Sequence, residues 1–155
     1  MSKVYIRLFE PRDAEAVVRM NAALARFRGA TSLANAAQFI AGAALGKIWV
    51  AEILGLGLVG FVAGYDWMDY VLGVRVRQID LLYVDDACRH KGVGKMLVHA
   101  LVHDATACGC GRIDVTDIET NELAAQFYLA LGFQASHRAG MRYSVSGDAL
   151  GRLAP

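Results

Sequence analysis

The sequence predicts an α/β protein of the α+β kind, with one mixed sheet flanked by helices in the order β-α-α-β-β-β-α-β-α-β-β. Three observations carry this. After Pro11, apolar residues recur at helical spacing as Val17, Met20, Leu24 and Phe27. Three β-favouring runs then follow one another with only turn-like segments between them, over Lys47–Ile53, Leu58–Tyr65 and Val74–Val84. The second half alternates strand and helix, the pattern that layers helices on a sheet. At 155 residues the chain reads as one domain, 1–155, long enough for a sizeable core.

Val4–Leu8 alternates as a first strand. Glu10-Pro11-Arg12-Asp13 turns into a helix, with Pro11 suited to its first position, and Gly29 ends it. Thr31-Ser32 is read as the cap of a second short helix carrying Leu33, Ala37 and Ile40 and stopping near Gly42. Leu54-Gly55-Leu56-Gly57 is a hairpin connection. Asp66 to Gly73, with Trp67, Asp69 and Tyr70, reads as a polar and aromatic loop. The strand over Val74–Val84 puts Gln78, Asp80, Leu82 and Val84 on one face if no bulge intervenes. A helix from Gly92 to about Ala107 has Val93, Met96, Leu97, Ala100 and Leu101 as its core side. Arg112–Thr116 is a strand and Asn121–Leu131 a helix ended by Gly132. Phe133 to Ser136 and Met141 to Val145 close the chain as two strands.

The stretch from Leu81 to Leu97 is the most informative. An apolar strand runs through a polar loop into a helix that starts Arg89-His90-Lys91-Gly92-Val93-Gly94-Lys95. The first N–H groups of a helix have no intrahelical partners, and the dipole is positive there, so this is a device for holding phosphate. Gly92 and Gly94 clear side chains from the backbone, and Arg89, Lys91 and Lys95 add positive charge. It is not a Walker A loop, because Gly94-Lys95 is followed by Met96 and no Gly stands five residues before Gly94. Nor is it a dinucleotide fingerprint, which would need Gly or Ala where Leu97 stands.

Composition narrows the function classes. A net charge of +1 gives no overall nucleic-acid surface, and no apolar run has the length of a membrane span. The start lacks a signal peptide, so the expected address is cytoplasmic. Cys88, Cys108 and Cys110 are an odd set that reads as free thiols rather than a disulfide framework or a zinc site. His99 and His103 stand one helical turn apart, but Ala100 follows His99 and the zinc-protease helix pattern is absent, so no metal is expected.

Arg89-x-x-Gly92-x-Gly94, after the strand Leu82-Tyr83-Val84-Asp85, resembles the signature of the GNAT superfamily of acyl-CoA-dependent N-acetyltransferases. A second stretch, Asn121-x-x-Ala124-x-x-Phe127-Tyr128-x-x-Leu131-Gly132-Phe133, is similar to the family's later helix motif. The resemblance implies a mostly antiparallel central sheet and acetyl-CoA as cosubstrate. It implies that the backbone of Leu82, Tyr83 and Val84 pairs with pantetheine, and that the turn Arg89, His90, Lys91, Gly92, Val93, Gly94, Lys95 holds the pyrophosphate. It implies that Asn121 contacts the cofactor arm and that Tyr128 lies near the sulfur. Asn121 reads equally as a helix cap, and Tyr128 as a packed aromatic.

The reaction so implied is direct acetyl transfer to a primary amine. An alkylammonium, with a pKa of about 10.4, must lose a proton before it attacks. The thioester oxygen needs an N–H donor, for which Leu82 is the candidate. Tyr128 is the candidate acid for the leaving thiolate. Asp80 is the candidate base, acting directly, through a water, or only by attracting the cation. It reads otherwise as a strand residue paired with Arg75 or Arg77. The segment Gln78 to Val84, the aromatic loop before it and the ending Met141 to Leu150 look distantly similar to polyamine and thialysine acetyltransferases, and Asp66, Asp69 and Asp80, with Tyr65, Trp67 and Tyr70 nearby, would suit a cationic amine. Arg26 and Arg28 at the first helix end favour an anionic acceptor instead. The expected partner is therefore a small-molecule amine, with a protein or peptide amine, or a non-catalytic CoA-binding module, as alternatives. The resemblance further implies a homodimer.

Overall fold

The computed structural model describes residues 3–116 and 121–135. These fall in two compact units, the first ending at Thr116 and the second containing the last described helix. The first unit holds β1 (Val4–Leu8), a 3-10 turn (Pro11–Asp13), α1 (Ala14–Phe27), α2 (Ala36–Leu45), β2 (Lys47–Ile53), β3 (Gly57–Asp69), β4 (Val74–Val84), a second 3-10 turn (Asp86–Cys88), α3 (Val93–Ala107) and β5 (Arg112–Val115). The second unit holds α4 (Glu122–Ala130). The five strands lie in sequence order, β1 to β4 antiparallel and β5 parallel to β4. The fold is mixed α/β, as the element order predicts, with the mostly antiparallel sheet that the resemblance implies.

One face of the sheet packs on α1 and α2. Its core joins Val17, Met20 and Phe39 to Ile48, Val50 and Phe61, with Ala63, Leu81 and Tyr83 against it. Phe39 meets the Phe61 ring edge-on at 6.3 Å. The other face packs on α3 through buried Leu97, Val98 and Leu101. Gly60 and Gly64 of β3 let α3 come close: a Cβ at Gly60 would stand 3.3 Å from Leu97, and one at Gly64 3.1 Å from Leu101.

Several boundaries differ from the sequence reading. α2 is capped by Asn35, whose side chain accepts from Gln38 N–H at 3.0 Å while Gln38 returns the bond at 2.9 Å. That reciprocal pair outcompetes Thr31-Ser32 and moves the helix to Ala36–Leu45. Its buried residue is then Phe39, whereas Leu33 and Ile40 are exposed. Asp66–Asp69, expected in a loop, continue β3 as a ladder with Val74–Arg77. Arg75, Arg77 and Arg112 neutralise its carboxylates across the strands, which is why polar residues extend this strand. Phe27 and Met96 are largely solvent-facing rather than core. Phe133, Gln134 and Ala135 form no strand among the described residues, and Ser136 and the strand expected over Met141 to Val145 lie outside them.

Candidate active site

The β3–β4 ladder pairs Ala63 with Leu81 but Gly64 with Ile79, so Asp80 is an extra residue in β4. This bulge breaks the alternation expected from the sequence. Leu82 and Val84 share the α3 face, while Gln78 lies on the opposite one. Without the bulge, Leu81 and Tyr83 would lie on the α3 face instead of in the core beneath α1 and α2.

The backbone has a second consequence. Asp85 N–H donates to Val59 O at 2.9 Å, so the N–H and C=O groups of residues 81, 83 and 85 turn towards β3. Those of Leu82 and Val84 turn to the opposite edge. β5 pairs with that edge only from Val76 to Ile79, so among the described residues no strand pairs with it at Leu82 and Val84. Leu82 therefore offers an N–H and a C=O, and Val84 an N–H. The expectation that Tyr83 contributes its backbone fails, because its peptide groups are spent on β3. Its ring lies 6.5 Å from Phe61, and burial, then the nearby Asp85 carboxylate, raises its phenol pKa.

β4 runs through the Asp86–Cys88 turn into α3. Gly92 caps α3 in the left-handed region, φ 83°, and His90 precedes it at φ 59°. A left-handed residue next to a right-handed one, as Gly92 is to helical Val93, aims consecutive N–H groups to one side. The N–H groups of Val93, Gly94 and Lys95 precede the first helical bond, which Met96 N–H makes to Gly92 O at 3.0 Å. The basic side chains serve the loop first. Arg89 donates its Nε to Val84 O at 3.0 Å and pairs with Asp86 at 2.7 Å, and Lys91 Nζ donates to Ala87 O at 2.7 Å. The anion-holding groups are thus mainly backbone N–H, with the exposed Lys95 beside them.

Asp80 is exposed and makes no ion pair among the described residues, so the expected pairing with Arg75 or Arg77 does not occur. Both arginines hold Asp66 instead, and Arg77, itself 1% exposed, also bonds Asp104 at 3.0 Å. Arg77's hydrogen bond keeps the Asp66 carboxyl below its ordinary pKa against the opposing pull of burial. Asp69 is held by Leu72 N–H and by Arg112, which also lies over the Trp67 ring at 5.7 Å. Two of the three carboxylates expected to attract substrate are therefore internal struts. Burial, with Asp66 beside it, pushes the Cys110 thiol pKa up. Arg26 and Arg28 make no ion pair among the described residues.

Asp80 instead lines a cleft of about 450 Å³ between α2 and the centre of the sheet, with Phe39, Leu45, Ile48, Tyr65 and Leu81. Sequence reading named Tyr65 among the acceptor-side aromatics but missed Phe39 and Leu45 here. The Asn35–Gln38 capping pair was the signal that could have set the face of α2. In the second unit, Asn121 caps α4 by accepting from Ala124 N–H at 3.2 Å. The Tyr128 ring packs edge-on against Phe127 at 5.1 Å and Phe133 at 5.3 Å. The described residues hold no cluster of three or more His, Cys, Asp or Glu suited to a metal, and none of their helices is long and apolar enough to cross a membrane.

The site is thus a bulged strand, its edge unpaired among the described residues, feeding a glycine-started helix. The family model for the GNAT acetyltransferases matches residues 19–133, and the chain belongs to that family of acyltransferases, whose typical donor is acetyl-CoA. Solved structures agree on the fold. An aminoglycoside N-acetyltransferase, AAC(6')-Iy in complex with CoA, is 21% identical with TM-score 0.78, covering 93% of this chain and 96% of that one. A ribosomal-protein-alanine N-acetyltransferase from Brucella melitensis biovar Abortus 2308 is 25% identical with TM-score 0.75, covering 93% and 100%. A transcriptional regulator from Bacillus halodurans C-125 is 26% identical with TM-score 0.74, covering 92% and 100%. No curated protein sequence matches the chain.

Proposed function

We propose that this protein transfers an acetyl group from acetyl-CoA directly to the primary amine of a small molecule, as one acetyltransferase domain over residues 1–155. The observation that carries the reading is the edge of β4 at Leu82 and Val84, unpaired among the described residues and continuous with the N–H turn at Val93, Gly94 and Lys95. An extended amide-bearing arm adds to such an edge as a strand would, and a pyrophosphate suits the helix start. Acetyl-CoA supplies the acyl group as a thioester. Leu82 N–H donates to the thioester oxygen as charge builds on it. Asp80 attracts the ammonium and takes its proton, directly or through a water. Tyr128, assigned by the helix motif around it, returns a proton to the leaving sulfur, and Asn121 supports the cofactor arm.

A polyamine acceptor loses support from the arginine pairing of Asp66 and Asp69, since each further ammonium would need its own carboxylate. A peptide N-terminus is the second reading, favoured by the likeness to the ribosomal-protein-alanine enzyme. Thiol release from acetyl-CoA across a panel of small amines and an alanyl peptide tests both. Small-molecule turnover supports the proposal, peptide-only turnover supports the second reading, and CoA binding without turnover leaves a non-catalytic module.

A further inference from the structure

The cleft beside Asp80 has a composition that selects among amines. By ladder register, Ile48, Ala63 and Leu81 share the face turned to α2. Tyr65 follows Ala63 on that face at strand alternation. Lys47 and Asp66 line the cleft too, but both alternate to the α3 face, and Asp66 is held there by Arg75 and Arg77. The side chains facing the cleft are thus Phe39, Leu45, Ile48, Tyr65 and Leu81, with Asp80, which has no ion pair among the described residues, as the carboxylate of its lining left for a cation. Leu45 is 87% exposed and Tyr65 43%, so apolar surface stands uncovered at the mouth. A volume of about 450 Å³ lies within the range for small-ligand sites.

Resting on the transfer reading above, we propose that this cleft is the acceptor pocket and that its substrate is a primary monoamine carried on an apolar aryl or branched-alkyl body. The ammonium meets Asp80 at the bulge, beside the open edge where Leu82 acts. The body lies between α2 and the Ile48–Leu81 floor, with the Tyr65 ring offering a face to the cation or an edge to the aryl group. Spermidine would leave its second and third charges against Phe39 and Leu45. A carboxylated amine would place its anion on the same apolar wall or against Asp80.

The test is acetyl transfer by the full chain to 2-phenylethylamine, spermidine, glutamate and an alanyl peptide at one acetyl-CoA concentration. The expected result is a kcat/KM for 2-phenylethylamine at least tenfold above the other three. Asp80→Asn should lower that value at least tenfold with the KM for acetyl-CoA unchanged. Tyr65→Ser, at a half-exposed strand position, should raise the KM for 2-phenylethylamine several-fold. With CoA saturating, 2-phenylethylamine should raise Tm in the wild type and not in Asp80→Asn, which reads binding apart from turnover. Preference for spermidine, glutamate or the peptide overturns this assignment and leaves acetyl transfer standing. No transfer to any amine overturns both.

Discussion

Tyr128 and Asp80 carry different parts of the proposed chemistry, and single substitutions separate them. If the Tyr128 phenol gives its proton to the leaving sulfur, Tyr128→Phe should lower kcat by about 10²-fold and move the KM for acetyl-CoA little. Steady-state thiol release measures both, and an unchanged kcat removes Tyr128 from that role. The ring contacts with Phe127 and Phe133 survive this change, so lost folding should not confuse the outcome. Asp13 shows what a purely structural carboxylate looks like. It is 5% exposed, takes both Arg7 guanidinium nitrogens at 2.7 and 2.9 Å, and accepts Glu10 N–H at 2.8 Å. It ties β1 to the start of α1. Asp13→Ala leaves the half-buried Arg7 with Glu52 alone and should cost about 3 kcal/mol in urea unfolding, with catalysis per folded molecule unchanged. Asp80 has no such set of partners, and this separates the two aspartates more clearly than anything in their sequence neighbourhoods.

At the scale of elements, the bulge in β4 and the start of α3 do the positioning. Gly64 stands where the ladder register shifts, and a Cβ there would lie 2.6 Å from Gln78 O, a backbone atom that cannot rotate away. Gly64→Ala should therefore destabilise by about 1–3 kcal/mol and raise the KM for acetyl-CoA, because β4 must move to admit the methyl group. Gly92 differs: nothing lies within 4 Å of its missing Cβ, and its constraint is φ 83° alone. Gly92→Ala should cost about 1–2 kcal/mol and weaken acetyl-CoA binding, while Gly92→Asn, which tolerates the left-handed region, should retain most of it. Thermal shift with CoA ranks the two. The helix start and its glycines were legible in the sequence because the geometry they require is local. The bulge was not, because Leu81 to Val84 is apolar at every position and so shows no phase, and the ladder with Ala63 and Gly64 is what reveals the extra residue. The Asp66–Asp69 strand was hidden for the same reason: its arginine partners lie on β4 and β5, and no local pattern in the sequence links them.

For the molecule as a whole, the buried ion pairs make stability depend on pH in a direction that follows from the shifts. In the first unit, Arg77 joins β3 to α3 through Asp66 and Asp104, while Arg7 joins β1 to α1 through Asp13. The arginine hydrogen bonds lower the Asp66 and Asp13 carboxyls below their usual range, against the opposing pull of burial. A carboxyl depressed in the folded state binds fewer protons there than in the unfolded chain between the two pKa values. Its stabilising contribution is fully present above the unfolded value, about 3.9, and is lost as pH falls through the folded value. The urea midpoint should thus stay level from about pH 7 to about pH 5, then drop steeply below about pH 4. Asp66→Asn should lower the plateau, since Arg77 is left buried with one anion fewer, and should make the acid limb shallower. A midpoint that falls between pH 7 and pH 5 instead would place the controlling group among the histidines. That outcome would remove the arginine–carboxylate struts from the account of what holds the sheet to its helices.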